Sequence, residues 1–309
     1  MLKVSVFGAG NVGAEVARRI VEKKLADVVL VDIVEGIPQG KALDILQSGP
    51  VEGFDCNIKG TNNPADIEGS EIVVVTAGLA RKPGMSRDDL QAANARIVKG
   101  ITENIKKYAP GSIIIMVTNP LDVMTYLAWK ISGFEKRKVF GMAGELDTAR
   151  MITFISMGTG IPSSKIKAMV LGGHGDLMVP LISQTKVDGK PLDSCLSKEK
   201  IDLIIKRTAN GGAEIVDLLK TGSAYYAPSA SAVKMVEAVI KNKGSVIPSA
   251  VILDGEYGLK DACIGVPAKI GRNGIEAVIE LKLTDEEMSM LARSASAVKE
   301  SIAKLGTCD

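Results

Sequence analysis

Short, uninterrupted apolar runs alternate with amphipathic segments through the first half of the chain. The runs at 4–7, 28–31, 72–75 and 113–117 predict buried strands, since a parallel strand covered by helices on both faces has no polar face. Segments with apolar residues at helical spacing lie at 11–24, 40–47, 88–108 and 121–132. This alternation predicts an α/β fold built on a doubly wound parallel sheet.

The pattern changes after about residue 141. Helical spacing predicts helices over 146–157, 198–220 and 228–242, and a capping-box pattern at 284–287 predicts the start of a last helix. Strands are predicted at 167–171, 181–187, 245–253, 262–270 and 276–281, with a hairpin turn at 187–190. We therefore expect two domains, a doubly wound domain over residues 1–143 and an α+β domain over residues 144–309.

Composition excludes several classes of function. The chain is 46% hydrophobic and 24% charged with a net charge of +2, which is typical of a globular protein without a nucleic-acid or membrane partner. Four cysteines lie far apart, without a C-x-x-C pair or a neighbouring histidine, so we expect free thiols, a reducing compartment and no metal site. No signal peptide or membrane-spanning apolar stretch is evident, which predicts a cytoplasmic protein.

A glycine motif follows the first predicted strand and opens the first predicted helix. In that position, glycines permit a tight turn and the close approach of a pyrophosphate to the helix N-terminus, as in Rossmann domains. Asp32, at the end of the second strand, is placed to accept hydrogen bonds from ribose hydroxyls and to repel a 2′-phosphate. We therefore expect NAD as the cofactor, the alternative being a glycine turn without a nucleotide. The motif residues are Gly8, Ala9, Gly10, Asn11, Val12 and Gly13.

The chain contains a single histidine, His174, in the segment LGGHGD at 171–176. Histidine is the usual proton carrier of catalysis, because its ordinary pKa lies near neutral pH. The surrounding glycines allow the backbone to approach a ligand closely. Taken by itself, His174 could equally be a solvated loop residue.

Further polar side chains follow the predicted strands, where doubly wound sheets bind ligands. Asn119 follows the strand at 113–117, and Arg81 and Arg87 flank a Pro-, Gly- and Ser-containing loop after the strand at 72–75. Asp147 and Arg150 lie three residues apart and share a helix face. Each has an ordinary interpretation, as a surface charge or a helix salt bridge, but their joint occurrence with His174 and the glycine motif favours an active site.

These motifs, in this order, resemble the lactate/malate dehydrogenase family, and within it the lactate-dehydrogenase-like malate dehydrogenases. The resemblance runs from Gly8 to at least Pro228. It implies a Rossmann domain followed by an α+β substrate domain, and oxidation of a 2-hydroxyacid by hydride transfer to NAD. It further implies a homo-oligomer, most often a tetramer, with a dimer as the alternative.

The resemblance implies a role for each site residue. His174 exchanges a proton with the 2-hydroxyl, Asp147 orients and stabilises its imidazolium, and Arg150 grips the substrate carboxylate. Arg87 polarises the reacting carbonyl. The resemblance also places Asn119 against substrate and cofactor, and a further set against the cofactor alone: Asn94, Val117 and Thr118.

The resemblance makes Arg81 the residue that selects the substrate. Family members that use lactate carry glutamine at this place and those that use malate carry arginine, because oxaloacetate has a second carboxylate that needs a partner when it is buried. Arg81 therefore favours malate and oxaloacetate. Residues 221–228 are expected to border the substrate pocket, where Ser223 and Ala224 would leave room for a dicarboxylate.

Two other functions remain open at this stage. One is an L-lactate or relaxed 2-hydroxyacid dehydrogenase, which assays with pyruvate would reveal. The other is a non-catalytic NAD-sensing module, which would need the glycine motif and Asp32 but not His174 and Asp147.

Overall fold

The computed structural model describes residues 2–79 and 86–305, apart from the side chain of Arg87. These residues form eight α-helices and fourteen β-strands. The helices are α1 (Asn11–Glu22), α2 (Ile37–Glu52), α3 (Arg87–Tyr108), α4 (Leu121–Ser132), α5 (Gly144–Thr159), α6 (Lys198–Leu219), α7 (Tyr226–Ile240) and α8 (Asp285–Ala303). The strands are β1 (Lys3–Phe7), β2 (Asp27–Val31), β3 (Ile58–Thr61), β4 (Ile72–Val75), β5 (Ile113–Met116), β6 (Val139–Gly141), β7 (Ile166–Lys167), β8 (Val170–Gly172), β9 (Met178–Pro180), β10 (Lys186–Val187), β11 (Lys190–Pro191), β12 (Ser245–Asp254), β13 (Lys260–Gly271) and β14 (Gly274–Val278).

The first six strands form a parallel sheet in the order β3-β2-β1-β4-β5-β6. This is the strand order of dinucleotide-binding domains, in which the chain starts in the middle and winds outward in both directions. The predicted doubly wound sheet is thereby confirmed. Helices cover both faces, and this explains why the strands of this sheet have no polar face.

β5 illustrates the double burial. Ile113 and Ile115 point into the hydrophobic cluster on one face of the sheet, while Ile114 and Met116 point into the cluster on the other. Successive side chains of a strand alternate between faces, so a run of four apolar residues is needed to fill both. The two clusters fix the sheet and, with it, the positions of the loops at the strand ends.

The sheet continues into the second half of the chain through antiparallel pairing. β6 pairs with β12 at Gly141 and Ala250, and β12 then pairs with β13 over nearly its full length. β8 and β9 extend the sheet beyond β13, and β14 pairs with β13 as well. This supports the predicted α+β character of the second half. The boundary at residue 143 falls between β6 and α5 and stays a prediction.

Some sequence predictions of elements are wrong. Residues 181–187 form a 3-10 turn (Ile182–Gln184) before the short β10, because the Thr185 hydroxyl donates to the carbonyl of Leu181 and closes a turn. Residues 167–171 divide between β7 and β8, which belong to different sheets. β3 and β6, which are only four and three residues long, were not predicted from the sequence.

Three neighbouring parallel strands end at the same edge of the sheet, at Phe7 in β1, Val75 in β4 and Met116 in β5. Loops that leave adjacent strands at this edge open a crevice, where such sheets bind their ligands. None of the helices within residues 2–79 and 86–305 is both long and apolar enough to cross a membrane.

Candidate active site

The glycine loop between β1 and α1 is packed too tightly for side chains at two positions. Gly8 has a φ of +101°, and a Cβ there would lie 2.6 Å from the Ala77 nitrogen. A Cβ on Gly13 would lie 1.8 Å from the Gly8 carbonyl oxygen and 2.7 Å from Thr76 Oγ1. Thr76 in turn donates to the carbonyls of Phe7 and Gly8, at 3.0 and 3.2 Å. These contacts hold helix α1 directly against the strand ends.

Gly10 differs from the other two motif glycines, because a Cβ on it would meet nothing within 4 Å. It is the N-cap of α1, where backbone N–H groups face outward and attract anions. A phosphate group therefore fits beside Gly10, while Gly8 and Gly13 serve packing. The packing of Gly8 and Gly13 and the open space beside Gly10 are compatible with the motif, and the binding of a phosphate there stays a prediction.

Asp32 lies at the end of β2, next to the glycine loop. Its Oδ2 accepts from the Ala9 N–H at 2.6 Å and its Oδ1 from the Val34 N–H at 3.0 Å. Lys41 of α2 donates to the Ala9 carbonyl at 2.7 Å, so the backbone of Ala9 is held at both its N–H and its carbonyl. A carboxylate has about four acceptor positions, and the two in use here leave others for ribose hydroxyls.

Asn94 joins the two loops that flank the crevice. Its Oδ1 accepts from the Leu79 N–H at 2.7 Å, and its Nδ2 donates to the Asn119 carbonyl at 2.7 Å. The side chain is almost completely buried and both ends of its amide are used by backbone. The polar atoms of Asn94 thus support the two loops, and its expected place against the cofactor stays a prediction. Thr118 contributes likewise, by donating to the Ala77 carbonyl at 2.7 Å.

A cavity of about 1010 Å³ opens at this edge of the sheet and extends between α5 and α6. It joins the glycine loop to the second half of the chain. Ser223 and Ala224 line it, as the resemblance implied. Its walls also include six residues that the sequence analysis singled out: Val12, Val117, Thr118, Asn119, Arg150 and His174.

His174 and Asp147 form a pair at this cavity, in which the carboxylate is buried and the imidazole is partly buried. The ring nitrogen Nδ1 lies 2.8 Å from Asp147 Oδ2, and an ionised carboxylate only accepts, so Nδ1 carries the hydrogen. Nε2 is then the ring nitrogen that remains for a ligand. Burial by itself would lower the pKa of His174, but the charge and hydrogen bond of Asp147, with help from Asp122, outweigh it and raise the pKa above 6.5.

Arg150 is a largely buried cation without a full set of partners. Its Nη1 lies 3.5 Å from Asp147 Oδ1, and its Nε has no hydrogen-bond acceptor among the residues that the structure describes. Burial lowers the pKa of Arg150, against the opposing charge of Asp147. A desolvated guanidinium that faces a cavity is suited to a carboxylate ligand, which can accept two parallel N–H bonds.

Two glycines of α6 make room for Arg150. A Cβ on Gly211 would lie 3.0 Å from Arg150 Cδ, and one on Gly212 would lie 3.3 Å from its Nη2. Neither glycine was predicted to belong to the site, because a glycine inside a predicted helix has no side chain that would indicate a function. They let α6 close over the guanidinium and help to exclude water from it.

The loop that carries His174 is fastened to two helices by residues that the sequence analysis also missed. The Gly173 N–H donates to Ser294 Oγ of α8 at 2.7 Å, and the His174 N–H donates to Asp122 Oδ2 of α4 at 2.9 Å. In the sequence, Asp122 could have been noticed as the single acid of a mostly apolar helix. No feature of the sequence marks Ser294 as part of the site.

The structure describes only part of the segment that carries the two loop arginines. Arg81 lies outside the described residues, and Arg87 is the first residue of α3 with its side chain outside them. α3 begins at a capping box, in which Ser86 Oγ accepts from the Asp89 N–H at 3.0 Å. The roles expected of Arg81 and Arg87 stay predictions.

Taken together, the geometry combines a phosphate-binding helix N-terminus, a histidine oriented by a carboxylate and an unsatisfied arginine at one cavity. Such a set can bind a dinucleotide and an anionic substrate, and can exchange one proton with it.

Comparison with known proteins agrees with this interpretation. The family model for the "lactate/malate dehydrogenase, NAD binding domain" matches residues 2–141, and that for the "lactate/malate dehydrogenase, alpha/beta C-terminal domain" matches residues 144–307. The malate dehydrogenase of Methanosarcina mazei is 52% identical over 305 residues, which are 99% of either chain. Further curated relatives with the name malate dehydrogenase are 50% to 55% identical.

Solved structures are equally similar. The malate dehydrogenase of Cryptosporidium parvum has a TM-score of 0.95 at 43% identity, with 98% of both chains covered. The lactate dehydrogenase of the same organism, complexed with lactic acid and β-nicotinamide adenine dinucleotide, has a TM-score of 0.96 at 44% identity. That match covers 100% of this chain and 99% of the other.

The glycine loop yields a prediction that separates packing from cofactor binding. Gly13→Ala should destabilise the apo-protein by roughly 1–3 kcal/mol, because the added Cβ meets the Gly8 carbonyl. Gly10→Ala should cost less than about 1 kcal/mol yet weaken NADH binding by about tenfold or more, because it fills the space for the phosphates. Thermal unfolding and fluorescence titration measure the two effects.

Gly100→Ala is the matched control, since a Cβ on this α3 glycine also meets nothing within 4 Å. It should leave NADH binding unchanged. If Gly10→Ala bound NADH as tightly as this control, the phosphate position inferred for the loop would be wrong.

Proposed function

Because the chain belongs to the lactate/malate dehydrogenase family, we propose that it is a malate dehydrogenase that reversibly oxidises (S)-malate to oxaloacetate with NAD. The observation that carries the proposal is the buried group of His174, Asp147 and Arg150 at the cavity beside the glycine loop. A proton carrier and a carboxylate-binding cation are what oxidation of a 2-hydroxyacid requires. The names of the curated relatives favour malate over lactate.

His174 carries the proton in this mechanism. Nδ1 donates to Asp147, so Nε2 accepts the proton of the 2-hydroxyl during oxidation and returns it during reduction. The imidazolium that forms is stabilised by the Asp147 carboxylate, which is already in place before the reaction and needs no reorientation. NAD, when bound, supplies the chemistry of hydride transfer.

Arg150 holds the C1 carboxylate of the substrate through a two-pronged hydrogen bond. Its Nε without an acceptor in the described part of the chain supports this role. Asn119, which lines the same cavity, donates a further hydrogen bond to the substrate. Arg87 polarises the reacting carbonyl, a role that rests on the family resemblance.

NAD is proposed over NADP because of Asp32. Its carboxylate lies beside the glycine loop, 2.6 Å from the Ala9 nitrogen, where a 2′-phosphate would meet a negative charge. Ile33 and Val34, which follow it, provide no cation to bind such a phosphate. The remaining cofactor contacts in the proposal come from the glycine loop and the backbone of Val117 and Thr118.

Arg81 is proposed to select the dicarboxylate. Closure of a loop over oxaloacetate buries its second carboxylate, which costs several kcal/mol without a partner. A pyruvate molecule would instead leave Arg81 buried and unpaired. The alternative, an L-lactate or relaxed 2-hydroxyacid dehydrogenase, keeps some support from the similarity to the Cryptosporidium parvum lactate dehydrogenase.

A non-catalytic NAD-binding module is the candidate from a different class. Binding of NAD alone does not require an imidazole whose Nδ1 lies 2.8 Å from the Oδ2 of a buried carboxylate, as in His174 and Asp147. Turnover of oxaloacetate by the purified wild-type protein would exclude it.

The substrate assignment predicts the behaviour of Arg81→Gln. Wild-type protein should prefer oxaloacetate over pyruvate in kcat/KM by about 10³-fold or more, and NADH over NADPH. The variant should lose roughly 10²-fold or more of the first preference, because its loop no longer pairs the second carboxylate. Steady-state assays with both keto acids and both cofactors measure these ratios.

Lys82→Gln removes the neighbouring cation of the same loop and serves as the control. This variant should hardly change the ratio of kcat/KM for oxaloacetate to kcat/KM for pyruvate. An Arg81→Gln ratio equal to that of wild type would overturn the assignment of Arg81.

We also propose that the chain forms a homo-oligomer, a tetramer or alternatively a dimer. Leu43 and Leu46 lie three residues apart on α2 and are 55% and 41% exposed, so one helix face presents apolar surface to solvent. Sedimentation equilibrium should give the mass of four chains, or of two. The double variant Leu43→Lys, Leu46→Lys should form a smaller assembly, and a monomeric wild-type protein would contradict the proposal.

A further inference from the structure

A second buried carboxylate, in addition to Asp147, forms a hydrogen bond with His174. Asp122, in the first turn of α4, is 6% exposed and accepts from the His174 backbone N–H through Oδ2 at 2.9 Å. Its Oδ1 is buried without a hydrogen-bond partner among the described residues. A buried carboxylate with an unsatisfied oxygen is costly to keep, and therefore needs an explanation.

Backbone anchoring alone does not explain a carboxylate at this position. The N–H of the preceding residue, Gly173, is bonded to the Ser294 hydroxyl at 2.7 Å, a neutral acceptor from another helix. Two successive amides of the same loop are thus held, one by a neutral side chain and one by an acid. Because Ser294 anchors the loop without a charge, anchoring alone does not explain why the residue that holds the His174 N–H is an acid.

The groups around Asp122 identify that effect. From α5, Asp147 and Arg150 face His174, and from β13 the Cys263 thiol lies near Asp122. Burial raises the pKa of Cys263 well above 9, and the Asp122 charge adds to the rise, so this thiol stays neutral at neutral pH. Among the charged groups that act on Asp122, the imidazolium form of His174 is the positive one and Asp147 the negative one.

The pKa values of Asp122 and His174 are linked. Burial raises the pKa of Asp122 to about 6, while the His174 N–H and the charge of His174 oppose the rise. Above pH 6 the carboxylate is therefore mostly ionised, in the range where the imidazole of His174 changes its charge. Asp176, two residues beyond His174 in the same loop, is exposed.

We propose that Asp122 is a positioning residue that holds the His174 backbone and, through its negative charge, acts with Asp147 to stabilise the imidazolium. Asp147 fixes the ring, Asp122 fixes the main chain, and both charges favour the protonated form. The proposal rests on the role of His174 as proton carrier proposed above.

His174 offers a direct test, because it is the only histidine of the chain. In tag-free, full-length apo-protein with labelled histidine, one ring signal reports its pKa by NMR without any turnover. Asp122→Asn keeps an oxygen acceptor for the His174 N–H but removes the charge. It should lower the pKa of His174 by about one pH unit, as expected for loss of a nearby opposite charge.

Glu287→Gln is the matched control. Glu287 is also 6% exposed, but it bonds Ser183 and the start of α8 instead of the His174 loop. This variant should leave the pKa of His174 at its wild-type value. A pKa of His174 in Asp122→Asn equal to that of wild type would overturn the proposal.

The wild-type titration provides a second test that needs no variant, should Asp122→Asn fail to fold. The ring signal of His174 should show a smaller, additional inflection near pH 6, when Asp122 gains its proton. If the carboxyl signal of Asp122 titrated without any change in the ring signal of His174, the proposal would be contradicted. If the pKa shift is found but the protein does not reduce oxaloacetate, the proposed function fails while the effect of Asp122 on His174 stands.

Discussion

The hydrogen bond between His174 Nδ1 and Asp147 Oδ2, 2.8 Å long, joins a loop at one end of the mixed sheet to helix α5. Asp147 is buried and the imidazole of His174 is partly buried, and a buried carboxylate without a partner costs several kcal/mol. The pair fixes the tautomer of the histidine and raises its pKa, and it places Arg150 one helical turn away. The substrate end of the cavity is arranged around this one bond.

The continuous sheet explains how two distant parts of the sequence reach one cavity. The glycine loop follows β1 and the histidine loop follows β8, and the pairing of β6 with β12 connects the parallel strands to the antiparallel ones. Rigid strands, buried on both faces, hold the two loops at fixed positions. Glycines at Gly8, Gly13 and Gly211 then allow backbone and side chains to approach closely where a Cβ would collide.

The sequence predicts those features that local chemistry determines. Buried parallel strands appear as apolar runs, and the glycine loop and His174 are recognisable because their residue types have few structural uses in that order. Asp122 and Ser294 could not be assigned to the site, since their partners are 52 and 121 residues away and form only in the folded chain. The same reason applies to the hydrogen bonds by which Asn94 joins two loops, since its partners are 15 and 25 residues away. The strand predicted at 181–187 is wrong for a local reason, because the Thr185 hydroxyl closes a turn on the Leu181 carbonyl.

His174 is proposed to be the single proton carrier, held in a state of raised proton affinity. The pH dependence of kcat/KM for oxaloacetate reduction by NADH, in wild type and in His174→Asn, is the decisive measurement of this role. Reduction consumes the imidazolium, so the wild-type value should stay level to above pH 6.5 and then fall as the pH passes the raised pKa. His174→Asn should be slower by roughly 10²–10⁴-fold and lack that inflection. A variant that keeps the wild-type rate and the same inflection would contradict the account.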